Sequence, residues 1–350
     1  MSKARKGIGL IKRLRSYLPT NVLDQIYKMH VRPHLDYCDF IYHVPKILRK
    51  AMQRPDHDND LDVSDDENHP NDDNDIYEDD DDSNKRLNTR MQALESLQYQ
   101  AALAVTGAWK GSSTRKIYKE LGWESLHHRR WFRRMTQFFK IMNGLTPQYL
   151  LDPIPVPRRH LFGRFATNDL YEFTCRNLRY LHSFYPDSVI SWNSLGAEIR
   201  KIESISEFKK KLLETIRPHK AHPIFNVHDP ENIKYIYQLR VGLSQLKSHK
   251  KKHNFRDTPT DICSCGTGVE STSHFLLFCP FFRIQRQALL STISSILNSN
   301  SKTPDMSNLD NAAKVDTLLY GNENLNFLEN KSVLTATIKY ISSTGRLNQM

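Results

Sequence analysis

Cys263-Ser264-Cys265-Gly266-Thr267-Gly268-Val269-Glu270-Ser271-Thr272-Ser273-His274-Phe275-Leu276-Leu277-Phe278-Cys279-Pro280 holds three of the chain's five cysteines and one histidine, spaced C-x-C-x8-H-x4-C. Three thiolates and an imidazole form a soft, four-donor set that suits tetrahedral Zn²⁺. Gly266 allows a sharp turn after the second cysteine, so that both early sulfurs can face one ion. Ser271, Thr272 and Ser273 can cap the apolar turn from His274 to Phe278. Pro280 suits the first position of a following helix, which leaves Cys279 at a helix N-terminus where its thiolate is favoured. The plain alternative is two surface cysteines and a core cysteine that fall close together. Ligand number, ligand order and the interposed glycine all favour Cys263, Cys265, His274 and Cys279 as structural zinc ligands. Four protein ligands leave no open position for water, so such a metal would not catalyse.

Away from this stretch the chain is polar. Hydrophobic residues make up 39% of 350, with a mean hydropathy of −0.60. No apolar run approaches the ~20 residues of a membrane span, and Lys12, Arg13 and Arg15 interrupt any signal-peptide core after the basic N-terminus. An odd number of cysteines with no extracellular pattern points to a reducing, intracellular setting, nuclear or cytoplasmic. Cys38 and Cys175 then read as small buried apolar residues.

The net charge of +11 hides an asymmetry. Fifteen of the 39 acidic residues fall between Asp56 and Asp82, where there is no Lys or Arg, leaving 24 acids against 50 bases elsewhere. A body carrying +26 calls for a polyanionic partner, RNA or DNA. The acidic segment, rich in Asp and Asn, has little to bury and is expected to be disordered. It is either an internal decoy for the basic body or an inert insertion.

Apolar periodicity predicts a mainly α fold. Helices are expected from Gly7 to Leu18, after Pro19, through Leu94, Leu97, Ala101 and Val105 to Gly107, from Ser113 to Leu121, and from Ser125 to Gly144. Others are expected from Ser206 to Ile216, through Leu239, Leu243 and Leu246, from Arg283 to Leu297, and from Ser332 to Ser342. In the Ser125 helix, Phe132, Met135, Phe139 and Met142 share one side, and Arg129, Arg130, Arg133 and Arg134 lie opposite. That arginine face is either a phosphate grip or an ordinary solvated surface. Lys250, Lys251, Lys252 and Arg256 lead into the cysteine stretch as a second basic surface. Phe275, Phe278, Phe281 and Phe282 are either the module's own core or base-stacking platforms. The expected segments are 1–48, helical; 49–88, acidic insert; 89–150, helical; 151–200, a proline-broken linker with short strands; 201–258, basic and helical; 259–282, the zinc module; and 283–350, helices with a Ser/Asn-rich linker at 298–309.

The C-x-C-x8-H-x4-C stretch with Cys279-Pro280 resembles the C-terminal knuckle of jockey-like non-LTR (LINE-type) retrotransposon reverse transcriptases. So do Arg32-Pro33-His34-Leu35-Asp36-Tyr37, Leu94-Glu95-Ser96-Leu97-Gln98 with Ala101-Ala102-Leu103-Ala104-Val105-Thr106-Gly107, and Leu121-Gly122-Trp123-Glu124-Ser125-Leu126. Ser183-Phe184-Tyr185-Pro186, Trp192-Asn193-Ser194-Leu195 and Phe208-Lys209-Lys210 extend the likeness over nearly the whole chain except 49–88. The resemblance implies a truncated, post-palm portion: a thumb-like helical bundle followed by a CCHC zinc knuckle. It also implies that the region positions RNA and DNA and has an intact element's reverse transcriptase as a partner. Tyr77-Glu78-Asp79-Asp80 matches the Y-x-D-D string of such polymerases. Its polar neighbours cannot build the apolar strands that a two-metal carboxylate site needs, and it follows Arg32-Pro33, out of the family's order. No G-x-S-x-G or H-E-x-x-H string is present. The remaining alternative is a zinc-stabilised helical scaffold that binds protein.

Overall fold

The computed structural model describes residues 1–37, 82–155, 169–176, 178–216, 227, 229–298 and 306–348; for 82–91, 178–179 and 298 it describes the backbone alone. The acidic stretch 56–81, the Tyr77 string and Cys38 lie outside the described residues. The chain divides into two compact units, one built from Met1–Tyr37, Ser96–Ser125 and Pro218–Met350, the other from Cys38–Glu95 and Leu126–Arg217. The architecture is mainly helical. Among the described residues there is no strand; an isolated antiparallel bridge joins Ile262 and Val269. No helix among them is long and apolar enough to cross a membrane.

In the first unit, α1 (Ser2–Leu14), α2 (Thr20–His30) and α3 (Arg32–Asp36) pack on one another. The first helix starts earlier than its periodicity suggests and ends at Leu14, because the Tyr17 and Leu18 amides both turn back to the Leu14 carbonyl at 3.0 Å. α4 (Asp82–Thr106) belongs to this unit from Ser96 onward, where it buries Leu97, Ala101 and Val105. The expected insert 49–88 therefore overlaps this helix from Asp82. α5 (Thr114–Leu121) ends at Gly122 as predicted. Beyond it, the Trp123 ring stacks on Tyr27 at 3.8 Å and donates to Asp24 Oδ1, while Tyr27 Oη donates to Gln98 Oε1. Two of the sequence words, those of Gln98 and Trp123, thus meet α2 in one buried knot.

The second unit consists of α6 (Leu126–Met142), α7 (Leu178–Leu181), α8 (Phe184–Asn193), α9 (Ala197–Arg200) and α10 (Ile205–Ile216). Its core gathers Trp131, Met135, Phe138 and Phe139 of α6 with Val189, Trp192, Phe208 and Leu212. One expectation is corrected here. The described parts of 151–200 contain helices and no strand. Pro186 sits in the first turn of α8, where a missing N–H costs nothing, and Val189 and Trp192 continue that helix into the core.

The arginines of α6 do not form an exposed face. Arg129, Arg130 and Arg134 are buried and only Arg133 is half-buried. Arg134 Nη1 donates to Asp187 Oδ2 of α8 at 2.7 Å, and its guanidinium lies over the Phe184 ring. α6 is enclosed on most of its circumference, so its cationic side faces protein rather than solvent.

Back in the first unit, α11 (Ile233–Val241), α12 (Lys247–Lys252), α13 (Arg283–Asn298), α14 (Asn311–Tyr320) and α15 (Phe327–Thr344) complete the order. α15 packs against α11, α13 and α14 around Ile236, Ile293, Leu318, Val333, Leu334 and Ile338. Buried Arg240 ties α11 to its neighbours: Nη1 reaches Glu120 Oε2 at 2.5 Å and Nε donates to Leu319 O at 2.9 Å. Leu239, Leu243 and Leu246 are inward as expected. The predicted linker 298–309 is shorter than its composition suggests, because Met306 anchors a 3₁₀ turn in the core. α14 was not apparent from apolar spacing; its start is fixed by Asp310, whose side chain accepts from the Ala313 amide at 2.6 Å.

Candidate metal centre

The Cys263 stretch folds as a tight loop and a π turn that bring its four donors together. Cys263 N donates to Gly268 O at 2.8 Å, and Gly266 N returns to Cys263 O at 2.9 Å. Gly266 has φ of 76°, a conformation that costs a side-chain-bearing residue energy. The loop closes where Glu270 N donates to Asp261 O at 2.8 Å. Ser271 Oγ then accepts from the His274 amide at 3.1 Å, the serine cap foreseen in the sequence. His274–Phe278 is a π turn, and Cys279 N reaches back to His274 O at 2.8 Å. That wide turn sets His274 and Cys279 on one side. Pro280 opens a 3₁₀ turn that runs into α13.

The ligand atoms of Cys263, Cys265, His274 and Cys279 all lie within 4.8 Å of one another. Cys263 Sγ is 3.8 Å from Cys279 Sγ, and Cys265 Sγ is 3.3 Å from His274 Nε2. A tetrahedral ion with metal–sulfur bonds of ~2.3 Å separates two sulfurs by about 3.8 Å. The four side chains can therefore hold one metal ion. They are not equally acidic. A hydrogen bond with the Thr267 hydroxyl draws Cys265 down to about 6, while burial lifts Cys263 to about 12 and raises Cys279. A cation at the centre would reverse that cost of burial, because a coordinated thiol is held deprotonated.

Sequence reasoning did not find the support around these donors. Glu270 is 3% exposed, and its Oε1 lies 4.0 Å from Cys263 Sγ. Arg346 grips that carboxylate with Nε and Nη2, both at 2.7 Å, and the Lys247 amide donates to its Oε2 at 2.9 Å. Ser248 Oγ donates to the Glu270 carbonyl at 2.8 Å, and Lys251 pairs with Asp261 at 3.0 Å. The start of α12 is thereby fastened to the cysteine loop. From the other side, Tyr340 Oη donates to Phe275 O and Arg286 Nη1 to Cys279 O. Phe275 and Leu276 continue into the main core of the unit. No local pattern announces Arg346, which lies 76 residues from Glu270. Replacing Glu270 by alanine leaves the guanidinium and the Lys247 amide without their acceptor. The expected loss is about 2–3 kcal/mol, read as a lower urea midpoint; an unchanged midpoint would contradict this role.

His249 links α12 to the same loop, with Nδ1 2.8 Å from Ser244 Oγ and Nε2 3.2 Å from Thr272 Oγ1. Burial first, and then the charges of His253, Lys252 and Lys116, pull it down to about 4. The unfolded chain takes up this proton near pH 6.5, so above that pH His249 adds no pH dependence. Below it the unfolded state binds more protons, and stability falls as the pH drops toward 4. By pH 5 the loss should be about 2 kcal/mol. His249→Gln should lose less between pH 7 and pH 5 than the unchanged chain, in urea melts that share any acid effect on the metal ligands. Parallel losses in the two proteins would count against it.

The second predicted basic surface is partly neutralised. Lys250 pairs with Asp257 at 2.6 Å and Lys251 with Asp261, whereas Lys252 and Arg256 are exposed and form no ion pair among the described residues. Of the phenylalanines, Phe275 is buried and Phe282 packs beside it, while Phe278 and Phe281 are 50% and 63% exposed. Cys175 is half-buried. Comparison with family models, with curated proteins and with solved structures found no match for this chain.

Proposed function

We propose that the chain is a nucleic-acid-binding, zinc-stabilised C-terminal region of a jockey-like non-LTR retrotransposon reverse transcriptase, its helices acting as a thumb-like bundle and Cys263, Cys265, His274 and Cys279 as a CCHC knuckle. One observation carries this reading: the four-donor cluster is fastened directly to the basic helix α12, which leaves Lys252 and Arg256 exposed beside it. The ordered sequence words and the +26 charge outside the acidic segment support it. Exposed Phe278 and Phe281 are available for stacking on bases. RNA or DNA, and an intact element's reverse transcriptase, are the partners this implies.

The metal would be structural, and the Tyr77 string has mainly polar neighbours, which do not suit a polymerase centre. No DNA synthesis is expected on a primed RNA template; incorporation that disappears in Asp79→Ala would overturn that. The reading itself is tested by titrating RNA and DNA against the zinc-loaded chain at several salt concentrations. Binding whose log affinity falls linearly with log salt, and less steeply in Lys252→Ala/Arg256→Ala, is the expected result. Salt-independent or absent binding would favour the second reading, a zinc-stabilised scaffold for protein partners. The burial of Arg129, Arg130 and Arg134 lends that alternative its support.

A further inference from the structure

Three cavities in the first unit share one residue, Arg15, just beyond the end of α1. The largest, about 580 Å³, is bounded by Lys12, Tyr99, Leu103 and Lys110. A second, about 430 Å³, is walled by Gly107, Trp109, Lys234 and Tyr235. The third, about 200 Å³, adds Ser16, Asn232 and Asn348.

Gly107 is what allows Arg15 and Lys234 to approach each other. It has φ of +71°, and a Cβ there would lie 2.7 Å from Arg15 Nη1 and 2.8 Å from Lys234 Cβ. Any larger residue would push these two side chains apart. Gln238 Nε2 fixes the turn by donating to Gly107 O at 2.9 Å.

These charges find no balancing carboxylate among the described residues, although Lys234 Nζ lies over the Tyr235 ring at 4.8 Å. Among the described residues no carboxylate pairs with Arg15, Lys12, Lys110 or Lys234, and Glu231 at the edge of the third cavity forms no ion pair with them. Arg15 is half-buried, and that burial lowers its pKa from the ordinary value. Like charges gathered around the half-buried Arg15 and Lys234 side chains repel one another unless an anion neutralises them. Phosphate oxygens suit the planar guanidinium fork, and the half-buried Trp109 ring offers a face for a base. Cavities of this size take a nucleotide or two, not a duplex.

We propose that Arg15, with Lys12, Lys110 and Lys234, forms a phosphate-binding channel for a single nucleic-acid strand, with Trp109 as its stacking wall. The nature of the ligand rests on the nucleic-acid reading above; the cavities are lined by none of the α12 lysines or knuckle donors, although the Trp109 ring lies 6.0 Å from that of Phe255, just beyond α12.

The test uses the full zinc-loaded chain, a single-stranded RNA dodecamer and tryptophan fluorescence. Trp123, Trp131 and Trp192 are buried, so quenching reports on Trp109. The strand should quench this signal. Arg15→Met should weaken binding about tenfold, the equivalent of one charge-assisted contact, and flatten the salt slope by about 0.7. Its Tm should be unchanged or higher, because an unpaired cation has been removed. A lower Tm would mean that Arg15 is structural and would overturn the proposal. Lys12→Ala/Lys110→Ala repeats the measurement on exposed side chains that folding does not require. If the dodecamer binds through Lys252 and Arg256 but both groove variants keep full affinity and slope, the channel is wrong and the nucleic-acid reading stands. If no strand binds at all, the nucleic-acid reading fails with it. If inorganic pyrophosphate quenches Trp109 as tightly as the dodecamer, the groove takes free phosphates and the strand proposal is overturned.

Discussion

Cys279→Ser, or prolonged chelation, is expected to cost the chain its metal and much of the stability of its first unit. Zinc binding in small modules supplies an apparent ~10–16 kcal/mol of folding free energy. Even a quarter of that lowers Tm by roughly 10 °C in a unit of this size. The effect should spread beyond the loop, because Phe275 and Leu276 lie in the same core as α11, α13 and α15, and Tyr340 bonds the Phe275 carbonyl. Amide exchange should therefore rise in 261–280 and in α15, together with a fall from one equivalent of zinc to none. A Cys279→Ser or Cys265→Ser chain that keeps full zinc occupancy and an unchanged melt would remove the assignment. The same loss in Thr267→Ala is not expected, since that hydroxyl only tunes Cys265.

Arg134→Met should destabilise the second unit by about 3–5 kcal/mol, because it breaks a buried ion pair by removing one partner. Both side chains are nearly inaccessible, at 0% and 3% exposure. Arg134→Met/Asp187→Leu should recover much of the loss, as apolar replacement of a whole buried pair often does. Urea melts of the single and double variants measure this coupling directly. Nucleic-acid affinity should not change in the folded fraction. A single variant that melts normally but binds RNA with a flatter salt slope would return Arg134 to the surface role first read from the helical wheel.

That wheel illustrates what the sequence could and could not reveal. Spacing alone says that Arg129, Arg130, Arg133 and Arg134 share a side of α6. It does not say that α8 supplies Asp187 to Arg134, 53 positions later. The helices with one apolar stripe, such as α4, α5 and α10, were legible because 3.6-residue periodicity survives where one face meets solvent. α8 was not, because it falls in the stretch read as a proline-broken linker and its buried residues go most of the way round. The donor set was legible because its order and spacing are local. Glu270, Arg346 and His249, which hold the loop against α12, act across 5 to 101 residues of chain and leave no local pattern. The groove at Arg15 was hidden for the same reason: Lys12, Gly107 and Lys234 come from three separate stretches.

The central claim is a closed knuckle in which three sulfurs and one imidazole nitrogen hold zinc beside a basic helix. X-ray absorption at the zinc edge of the purified, stoichiometrically loaded chain tests it most directly. The expected first shell is three sulfurs at ~2.3 Å and one nitrogen at ~2.0–2.1 Å, with no water oxygen. A shell dominated by nitrogen and oxygen, or one unchanged when His274 is replaced by alanine, would contradict it.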